Sequence, residues 1–294
     1  MPRKNNIFII TDSDLDGAGS YMVFNWALKQ SIPYEQTTVT NFRSFFSKWY
    51  AQNGNDFDCI YILDLDVSES NMDLVDKENI TIIDHHDSHV RNAHKYTKAN
   101  TLIKKETSCS KLILRDFASK GVQFTPSQLE LIVYIDDYDS YSLKHENSHK
   151  LNTVYWTYQG NRLDKFITDF MYGFDEFSPL HQKIIRYKKA KFKELLGNID
   201  IYKFTKGKYK MYSTFASEFI NDVADKIIKD CGADIVFVVN PSSEKVSVRK
   251  NPDCDVDLGQ LVILTFGDGG GHTYAAGFSL NDKFIEFTKV FEKI

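Results

Sequence analysis

In the first half of the chain, short apolar runs alternate with longer amphipathic segments. The apolar runs are rich in β-branched residues, which is typical of buried strands, and they read "NIFIIT", "DCIYIL" and "ITII". Segments with helical spacing lie between and after them, namely "GAGSYMVFNWALKQ", "TSCSKLILRDFASKG" and "TPSQLELIVYIDD". Because strands alternate with helices, the pattern predicts an α/β fold with a doubly wound, mostly parallel sheet.

Capping residues predict the ends of two of these helices. Ser and Thr residues precede the helix in "TSCSKLIL", and Gly121 marks its C-terminal end. The next helix begins with Thr125 as N-cap, Pro126 in the first helical position and Gln128 closing a capping box.

The second half opens with a long basic run over residues 178–197. This run has helical spacing, and a solvated helix that joins two domains explains its charge better than a nucleic-acid surface does. The sequence then predicts a hairpin that turns at Gly207, an amphipathic helix that ends at Gly232 and a strand pair that turns at Asn240 and Pro241. The segment "TYAAGF" near the end of the chain is helix-like.

These elements predict two domains, with a boundary in the helical linker at about residues 185–205. We expect a larger domain over residues 1–190 and a second, smaller α/β substrate domain over residues 191–294, facing each other across a cleft. A chain of 294 residues is long enough for this division.

Composition and charge are those of a soluble globular protein, with 42% hydrophobic and 26% charged residues. The net charge of −4 argues against a broad basic surface for long duplex DNA, although a local groove can still bind a short or single strand. No apolar stretch is long enough to span a bilayer and nothing resembles a signal peptide, so we expect a cytoplasmic protein with no membrane partner. The four cysteines are far apart and predict buried thiols without metal or redox chemistry.

Acidic and imidazole side chains follow each of the three predicted strands. In chain order they are Asp12, Asp14 and Asp16; Asp64 and Asp66; and Asp84, His85, His86 and Asp87. A fourth acidic group, Asp136, Asp137 and Asp139, ends a predicted helix. Because the carboxyl ends of parallel strands meet at one sheet edge, so much like charge needs cations there. Oxygen ligands with a few imidazoles and no thiolate favour Mn²⁺ or Mg²⁺.

A calcium loop is the main alternative for "DSDLDG", because its opening fits the EF-hand pattern. An EF-hand loop needs a bidentate Glu in its twelfth position, where this chain has Val23. It should also follow a helix, whereas a predicted strand precedes "DSDLDG". Both observations exclude an EF-hand.

The ordered set of motifs resembles the DHH phosphoesterase family, named for the triplet seen here as Asp84, His85 and His86. "DSDLDG" is similar to the first family motif, "LDLD" to the second and "YIDDYD" to the fourth. In the second half, "VSVRK" and "GDGGGHTYAAGF" resemble the DHH-associated substrate domain. The resemblance covers nearly the whole chain, and the ordered set is far more specific than the triplet alone.

The resemblance implies a site for two Mn²⁺ ions, with Mg²⁺ as the other candidate. The implied metal ligands are Asp12, Asp14, Asp16, Asp64, His85 and Asp137. Asp64 matches the aspartate that bridges the ions and His86 a residue near the scissile phosphate, so the implied catalytic residues are His86, Asp14, Asp16 and Asp64. Asp66, Asp136 and Asp139 are alternative ligands in the second and fourth motifs.

The resemblance also implies a phosphate-binding group in the second domain. Its residues are Arg249, Gly270, Gly271 and His272. Glycines let backbone N–H groups approach phosphate oxygens closely, and an arginine can clamp phosphate with paired hydrogen bonds.

The implied activity is that of a two-metal hydrolase, an Mn²⁺-dependent phosphodiesterase that trims single-stranded DNA or short oligonucleotides to 5′-mononucleotides. Many relatives that act on short RNAs or cyclic dinucleotides have His at the position of Asp12, whereas RecJ-type exonucleases have Asp there, as this chain does. The chain resembles a compact catalytic core. A small-substrate phosphoesterase, acting on dinucleotides, cyclic dinucleotides or nucleotide 3′-phosphates, is the first alternative. An inactive metal- or nucleic-acid-binding regulator is the second. Cleavage polarity and oligomeric state stay open.

Overall fold

The computed structural model describes residues 6–271 and 273–294. The chain divides into two compact units, Met1–Arg186 and Tyr187–Ile294. The domain limits expected from the sequence stay a prediction.

The first unit is built on a five-stranded parallel sheet. Its strands are β1 (Ile7–Asp12), β2 (Tyr34–Thr37), β3 (Cys59–Leu63), β4 (Ile80–Asp84) and β5 (Asn100–Ile103). Their spatial order is β2-β1-β3-β4-β5, and every neighbouring pair is parallel. The three strands predicted from apolar runs, β1, β3 and β4, are therefore direct neighbours, and their carboxyl ends lie at one edge.

Helices connect these strands and complete the first unit. They are α1 (Leu15–Leu28), α2 (Val39–Asn53), α3 (Met72–Val75), α4 (Asp87–Asn92), α5 (Cys109–Ser119), α6 (Pro126–Asp139), α7 (Glu146–Tyr155) and α8 (Arg162–Phe170). Short 3₁₀ turns occupy Glu69–Asn71 and Ala93–Lys95, and α9 (Pro179–Leu196) contains the point at which the chain divides.

Both faces of the central strands β1, β3 and β4 are covered, which is why these three strands are largely apolar. Ile9 and Ile83 belong to a core shared with α1, α5 and α6, whereas their neighbours Ile10 and Ile82 pack into a second core with α2. All four side chains are buried. The acidic side chains that follow these three strands therefore lie at the strand ends, outside the apolar core.

The second unit contains a seven-stranded mixed sheet. Its elements in chain order are β6 (Ile201–Lys206), β7 (Tyr209–Phe215), α10 (Ile220–Cys231), β8 (Ile235–Asn240), β9 (Lys245–Lys250), α11 (Leu258–Phe266), β10 (Gly270–Gly271), β11 (Ala275–Ser279), α12 (Asp282–Thr288) and β12 (Glu292–Lys293). The spatial order is β10-β11-β9-β8-β7-β6-β12, and β7 and β8 form its parallel pair.

The expected α/β class with a parallel sheet and a second α/β unit is confirmed, as are several local predictions. Thr125 and Gln128 form the predicted capping box at the start of α6. Gly207 has φ 61° at the turn between β6 and β7, and α10 ends at Gly232. Within residues 6–271 and 273–294, every helix is too short or too polar to cross a bilayer.

The helix-like reading of "TYAAGF" is wrong, because Ala275–Ser279 forms strand β11. This strand pairs antiparallel with β9 along its whole length. Ala276 and Phe278 alternate into the core of the second unit, so cross-strand pairing and burial override the helical preference of alanine.

Candidate functional site

The first acidic group lies at the junction of β1 and α1, which local hydrogen bonds hold in a fixed conformation. Asp14 is the N-cap of α1, and its Oδ1 accepts the N–H of Gly17 at 2.9 Å. The hydroxyl of Thr11 donates to the carbonyl of Gly17 at 2.8 Å across the same loop. A Cβ atom on Gly17 would lie 2.3 Å from the carbonyl oxygen of Asp12, so only glycine fits this close approach.

Asp16 is held by the N-terminus of a distant helix. Its carboxylate accepts the backbone N–H of Cys109 at 2.6 Å and that of Ser110 at 3.0 Å, in the first turn of α5. Carboxylates are stabilised at helix N-termini, where backbone donors lack partners within the helix. Asp16 is buried, and these two bonds fix its orientation.

Asp64 directly follows β3 in a left-handed backbone conformation, with φ 58°. Aspartate tolerates this region better than most residues, but it is still uncommon there. The side chain is buried, and its Oδ1 has no hydrogen-bond partner among the described residues. Burying a carboxylate oxygen without a partner costs free energy, so Asp64 Oδ1 indicates that a bound group, such as a cation, pairs with it.

His85 brings three of the acids together. Its Nδ1 lies 3.3 Å from the carbonyl oxygen of Glu106, which leaves Nε2 to face the carboxylates. Nε2 lies 3.8 Å from Asp16 Oδ2, 3.4 Å from Asp64 Oδ1 and 3.5 Å from Asp139 Oδ2. We call these four residues, Asp16, Asp64, His85 and Asp139, the His85 cluster. A histidine ligand held by a backbone carbonyl is a common arrangement around protein-bound metals.

The electrostatics of this region fit divalent cations. Burial, reinforced by the charge of Asp14, raises the pKa of Asp12 from 3.8 to about 7. Burial and the negative charge of Asp16 likewise raise the pKa of Asp14, and raise the pKa of Asp64 and Asp139 well above the ordinary value. Several buried carboxylates whose pKa is raised, together with one imidazole nitrogen, form a donor set suited to Mn²⁺ or Mg²⁺.

Of the two fourth-motif candidates, the structure places Asp139 beside His85 and gives Asp137 other partners. The Asp137 carboxylate accepts the N–H of Lys144 at 2.9 Å, the N–H of His145 at 3.0 Å and the hydroxyl of Ser148 at 2.7 Å. These hydrogen bonds outweigh the effect of burial and lower the pKa of Asp137. The hydrogen bonds of Asp137 thus stabilise the N-terminus of α7, whereas Asp139 lies in the His85 cluster.

The other two alternative ligands have partners of their own. Asp136 accepts from Ser108 at 3.0 Å and pairs with Lys111 at 2.7 Å. Asp66 accepts the N–H of Ser68 at 3.1 Å and also the hydroxyl of Ser88. Among the candidates in the second motif, Asp64 is therefore the one within the His85 cluster.

His86 lies at the N-terminus of α4 and is tied to the first residue of its own triplet. Its Nδ1 is 2.8 Å from Asp84 Oδ1, and Asp84 is completely buried. Burial lowers the pKa of His86, but the hydrogen bond and charge of Asp84 outweigh it and raise the pKa to about 10. Burial raises the pKa of Asp84, but the hydrogen bonds from His86 and His89 outweigh it and leave this pKa below its ordinary value.

Two polar residues at this site were not identified from the sequence. His89 Nδ1 lies 2.6 Å from Asp84 Oδ2, and His89 Nε2 lies 2.8 Å from the hydroxyl of Tyr96. The spacing of three residues between His86 and His89 is a signal that could have found the second histidine, because positions three apart share a side of a helical turn.

The predicted substrate-binding residues lie in the second unit. Arg249, on β9, donates to the side-chain oxygen of Asn221 at 2.7 Å. Its strand partner is Ala275 of β11, beside the short strand formed by Gly270 and Gly271. A Cβ on Gly270 would meet nothing within 4 Å. A Cβ on Gly271 would lie 2.4 Å from the carbonyl oxygen of Ala275, so the hairpin itself requires glycine there. His272 lies outside the described residues.

Comparisons with known proteins extend the resemblance of the motifs to the fold. Residues 209–294 match the DHHA1 domain family. The pGpG-specific phosphodiesterase PggH from Vibrio cholerae is similar with a TM-score of 0.61 at 13% identity, covering 96% of each chain. The exonuclease RecJ bound to manganese has a TM-score of 0.58 at 12% identity, covering 97% of this chain and 88% of that one.

An exopolyphosphatase-related protein from Bacteroides fragilis is also similar, with a TM-score of 0.55 at 16% identity, covering 98% of this chain and 91% of that one. No curated protein matches the chain in sequence. The resemblance inferred from the motifs is thus confirmed for the fold and for the C-terminal domain.

Proposed function

We propose that this chain, which carries a DHHA1 domain and has the fold of the DHH-family phosphoesterases, hydrolyses phosphodiester bonds at the His85 cluster with divalent cations, and with Mn²⁺ in particular. The observation that carries the proposal is the buried Oδ1 of Asp64, which has no hydrogen-bond partner among the described residues and faces His85 Nε2 at 3.4 Å. A cation bound there would pair with this oxygen and neutralise the like charges around it. Both the cost of burying an unpaired oxygen and the repulsion between the carboxylates would then be removed.

The proposed ligands are the three acids at the junction of β1 and α1, namely Asp12, Asp14 and Asp16, together with Asp64, His85 and Asp139. Two divalent ions held by such a set would supply charge that stabilises a reacting phosphate and would lower the pKa of a water molecule. The protein contributes fixed positions, since backbone donors of α5 hold Asp16 and the Glu106 carbonyl holds His85. Pre-organised groups of this kind lower the reorganisation needed in the transition state.

Two further groups are proposed to handle substrate phosphate. His86, oriented by Asp84, donates a hydrogen bond to the reacting phosphate. Arg249 binds phosphate through its guanidinium group. The backbone at Gly270, where no Cβ blocks access, lets a phosphate oxygen come close. His272 is proposed as a further phosphate donor on the motif resemblance alone.

Single-stranded DNA or a short oligonucleotide is the proposed substrate, cut to 5′-mononucleotides. The first motif begins with Asp12, as in RecJ-type exonucleases, and the manganese-bound exonuclease RecJ shares this fold. The pGpG-specific phosphodiesterase PggH shares it equally well and supports the second candidate, a phosphoesterase for dinucleotides.

Product analysis with Mn²⁺ on oligonucleotides of two to about twenty nucleotides, labelled at either end, tests both candidates. Stepwise release of 5′-mononucleotides from all lengths supports the exonuclease, and hydrolysis confined to dimers supports the dinucleotide enzyme. Asp64→Asn should abolish hydrolysis. Asp136→Asn is the matched control, because Asp136 pairs with Lys111 outside the His85 cluster. Bound Mn²⁺ without hydrolysis of any phosphoester would contradict the proposal and favour a regulator.

A further inference from the structure

His89 is a buried histidine that has no role in the proposed reaction as described above. It has 0% exposure, and both of its ring nitrogens are hydrogen-bonded. A carboxylate only accepts, so Nδ1 carries a proton and donates to Asp84, while Nε2 shares a second hydrogen bond with the hydroxyl of Tyr96. Asp66 Oδ1 lies 3.7 Å from the same Nδ1, which is too long for a hydrogen bond. The chain of hydrogen bonds therefore runs from Tyr96 through His89 to Asp84.

Asp84 connects this chain to His86. One carboxylate oxygen faces His86 Nδ1 at 2.8 Å, and the other faces His89 Nδ1 at 2.6 Å. Asp84 has 0% exposure, so water does not replace a lost donor. Without His89 the second oxygen would be buried and unpaired, and the carboxylate could rotate away from the position that orients His86.

Packing alone does not explain an imidazole at residue 89. An apolar side chain of similar volume would fill the same space without taking two polar nitrogens out of water. The hydrogen bonds of the imidazole therefore explain its presence, and its Nδ1 donates to Asp84, the carboxylate that holds His86.

We propose that His89 is a positioning residue: together with Tyr96 it fixes the carboxylate of Asp84 and, through Asp84, the ring of His86. The inference rests on the proposed function, because it assigns His89 a part in that reaction. It predicts that the effect of His89 passes through His86 and leaves binding of Mn²⁺ nearly unchanged.

The test compares His89→Phe, His89→Asn and Tyr96→Phe. Phenylalanine fills the space without hydrogen bonds, asparagine keeps a donor near the position of Nδ1, and Tyr96→Phe removes one hydroxyl. The matched controls are His181→Phe and Tyr158→Phe. These residues form another partly buried group, in which the hydroxyl of Tyr158 lies 2.6 Å from an oxygen of Asp169 and His181 Nε2 lies 2.9 Å from the same oxygen.

We expect kcat for Mn²⁺-dependent hydrolysis to fall about 10–100-fold in His89→Phe, with partial rescue in His89→Asn and a smaller loss in Tyr96→Phe. Metal content should stay at the wild-type value, and the two control variants should keep the wild-type kcat. In a His86→Ala background, His89→Phe should cause no further loss, since a residue that acts through His86 cannot act without it. A full additional loss in that background, or equal losses in the controls, would overturn the inference.

A second measurement separates this inference from the proposed function. The ¹⁵N shifts of the His86 ring report its hydrogen bond in the metal-free protein, whether or not the protein hydrolyses anything. Wild-type protein without activity would reject the proposed function alone. Unchanged His86 shifts in His89→Phe would reject the positioning role. If His89→Phe fails to fold, the same shifts in Tyr96→Phe and His89→Asn decide the question.

Discussion

Two aspartates two residues apart at the end of α6 should respond to the same substitution in opposite ways. Asp137→Asn should destabilise the protein and keep its metal, whereas Asp139→Asn should keep stability and lose metal. The difference follows from the partners of each carboxylate, because Asp137 accepts three hydrogen bonds at the start of α7 and Asp139 faces His85 at 3.5 Å.

The magnitude for Asp137→Asn follows from its hydrogen bonds. Asparagine retains one acceptor oxygen, so it can keep the bonds from His145 and Ser148 but presents an amide N–H₂ to the N–H of Lys144. Hydrogen bonds to a charged group contribute about 1.5–3 kcal/mol, so we expect a loss of about 2 kcal/mol. For a unit of this size, that corresponds to a Tm about 4–8 °C lower.

Asp139→Asn removes one negative charge from a group of buried acids. In EDTA its Tm should therefore be no lower than that of the wild type. With Mn²⁺ at 100 times its Kd, the wild type should gain about 2.7 kcal/mol of stability, and Asp139→Asn should lose most of this gain.

Thermal unfolding in EDTA and in Mn²⁺, together with metal content by mass spectrometry, measures both effects. The reasoning is refuted if Asp137→Asn abolishes the stabilisation by Mn²⁺ while Asp139→Asn retains it. That result would favour Asp137 as the fourth-motif ligand.

Three further substitutions test other parts of the site. Asp64→Asn should lower the occupancy of both ions, and a content still at two Mn²⁺ per chain by mass spectrometry would contradict its bridging role. Arg249→Ala should chiefly raise KM and leave metal content intact, because it removes charge-assisted hydrogen bonds to substrate; wild-type steady-state kinetics would exclude that role. Gly17→Ala places a Cβ 2.3 Å from a backbone oxygen and should cost about 1–3 kcal/mol and weaken Mn²⁺ binding. Gly197→Ala, whose Cβ would make only ordinary contacts, should melt like the wild type.

The convergence of acids at one sheet edge was predictable because it depends on strand direction. Asp12, Asp64 and Asp84 each end or follow an apolar run, and parallel strands place such positions together. The order β1-β3-β4 makes those strands direct neighbours. No long-range knowledge beyond parallel pairing was needed to bring these side chains to one place.

The choice between Asp137 and Asp139 was not predictable, because it depends on what lies beside α6. Residues two apart on a helix point in nearly opposite directions, so only one of them can face the His85 cluster. Which one does so depends on the segment that leads into α7, where the backbone N–H groups of Lys144 and His145 donate to Asp137. "TYAAGF" was misread for a similar reason, since its strand exists only by pairing with β9.

The bond between Asp16 and α5 has a consequence for the order in which the protein folds. Asp16 takes its backbone donors from residues 93 and 94 positions later in the chain. Closing so long a loop is slow, and it requires α5 to be docked against α1 before Asp16 is correctly placed. We therefore expect a cation of the His85 cluster to bind a completed tertiary structure and not to nucleate it, unlike the ions of small metal-dependent domains that are unfolded without metal. A nascent chain that ends before α5 would contain the first three motifs and still lack the backbone donors that hold Asp16.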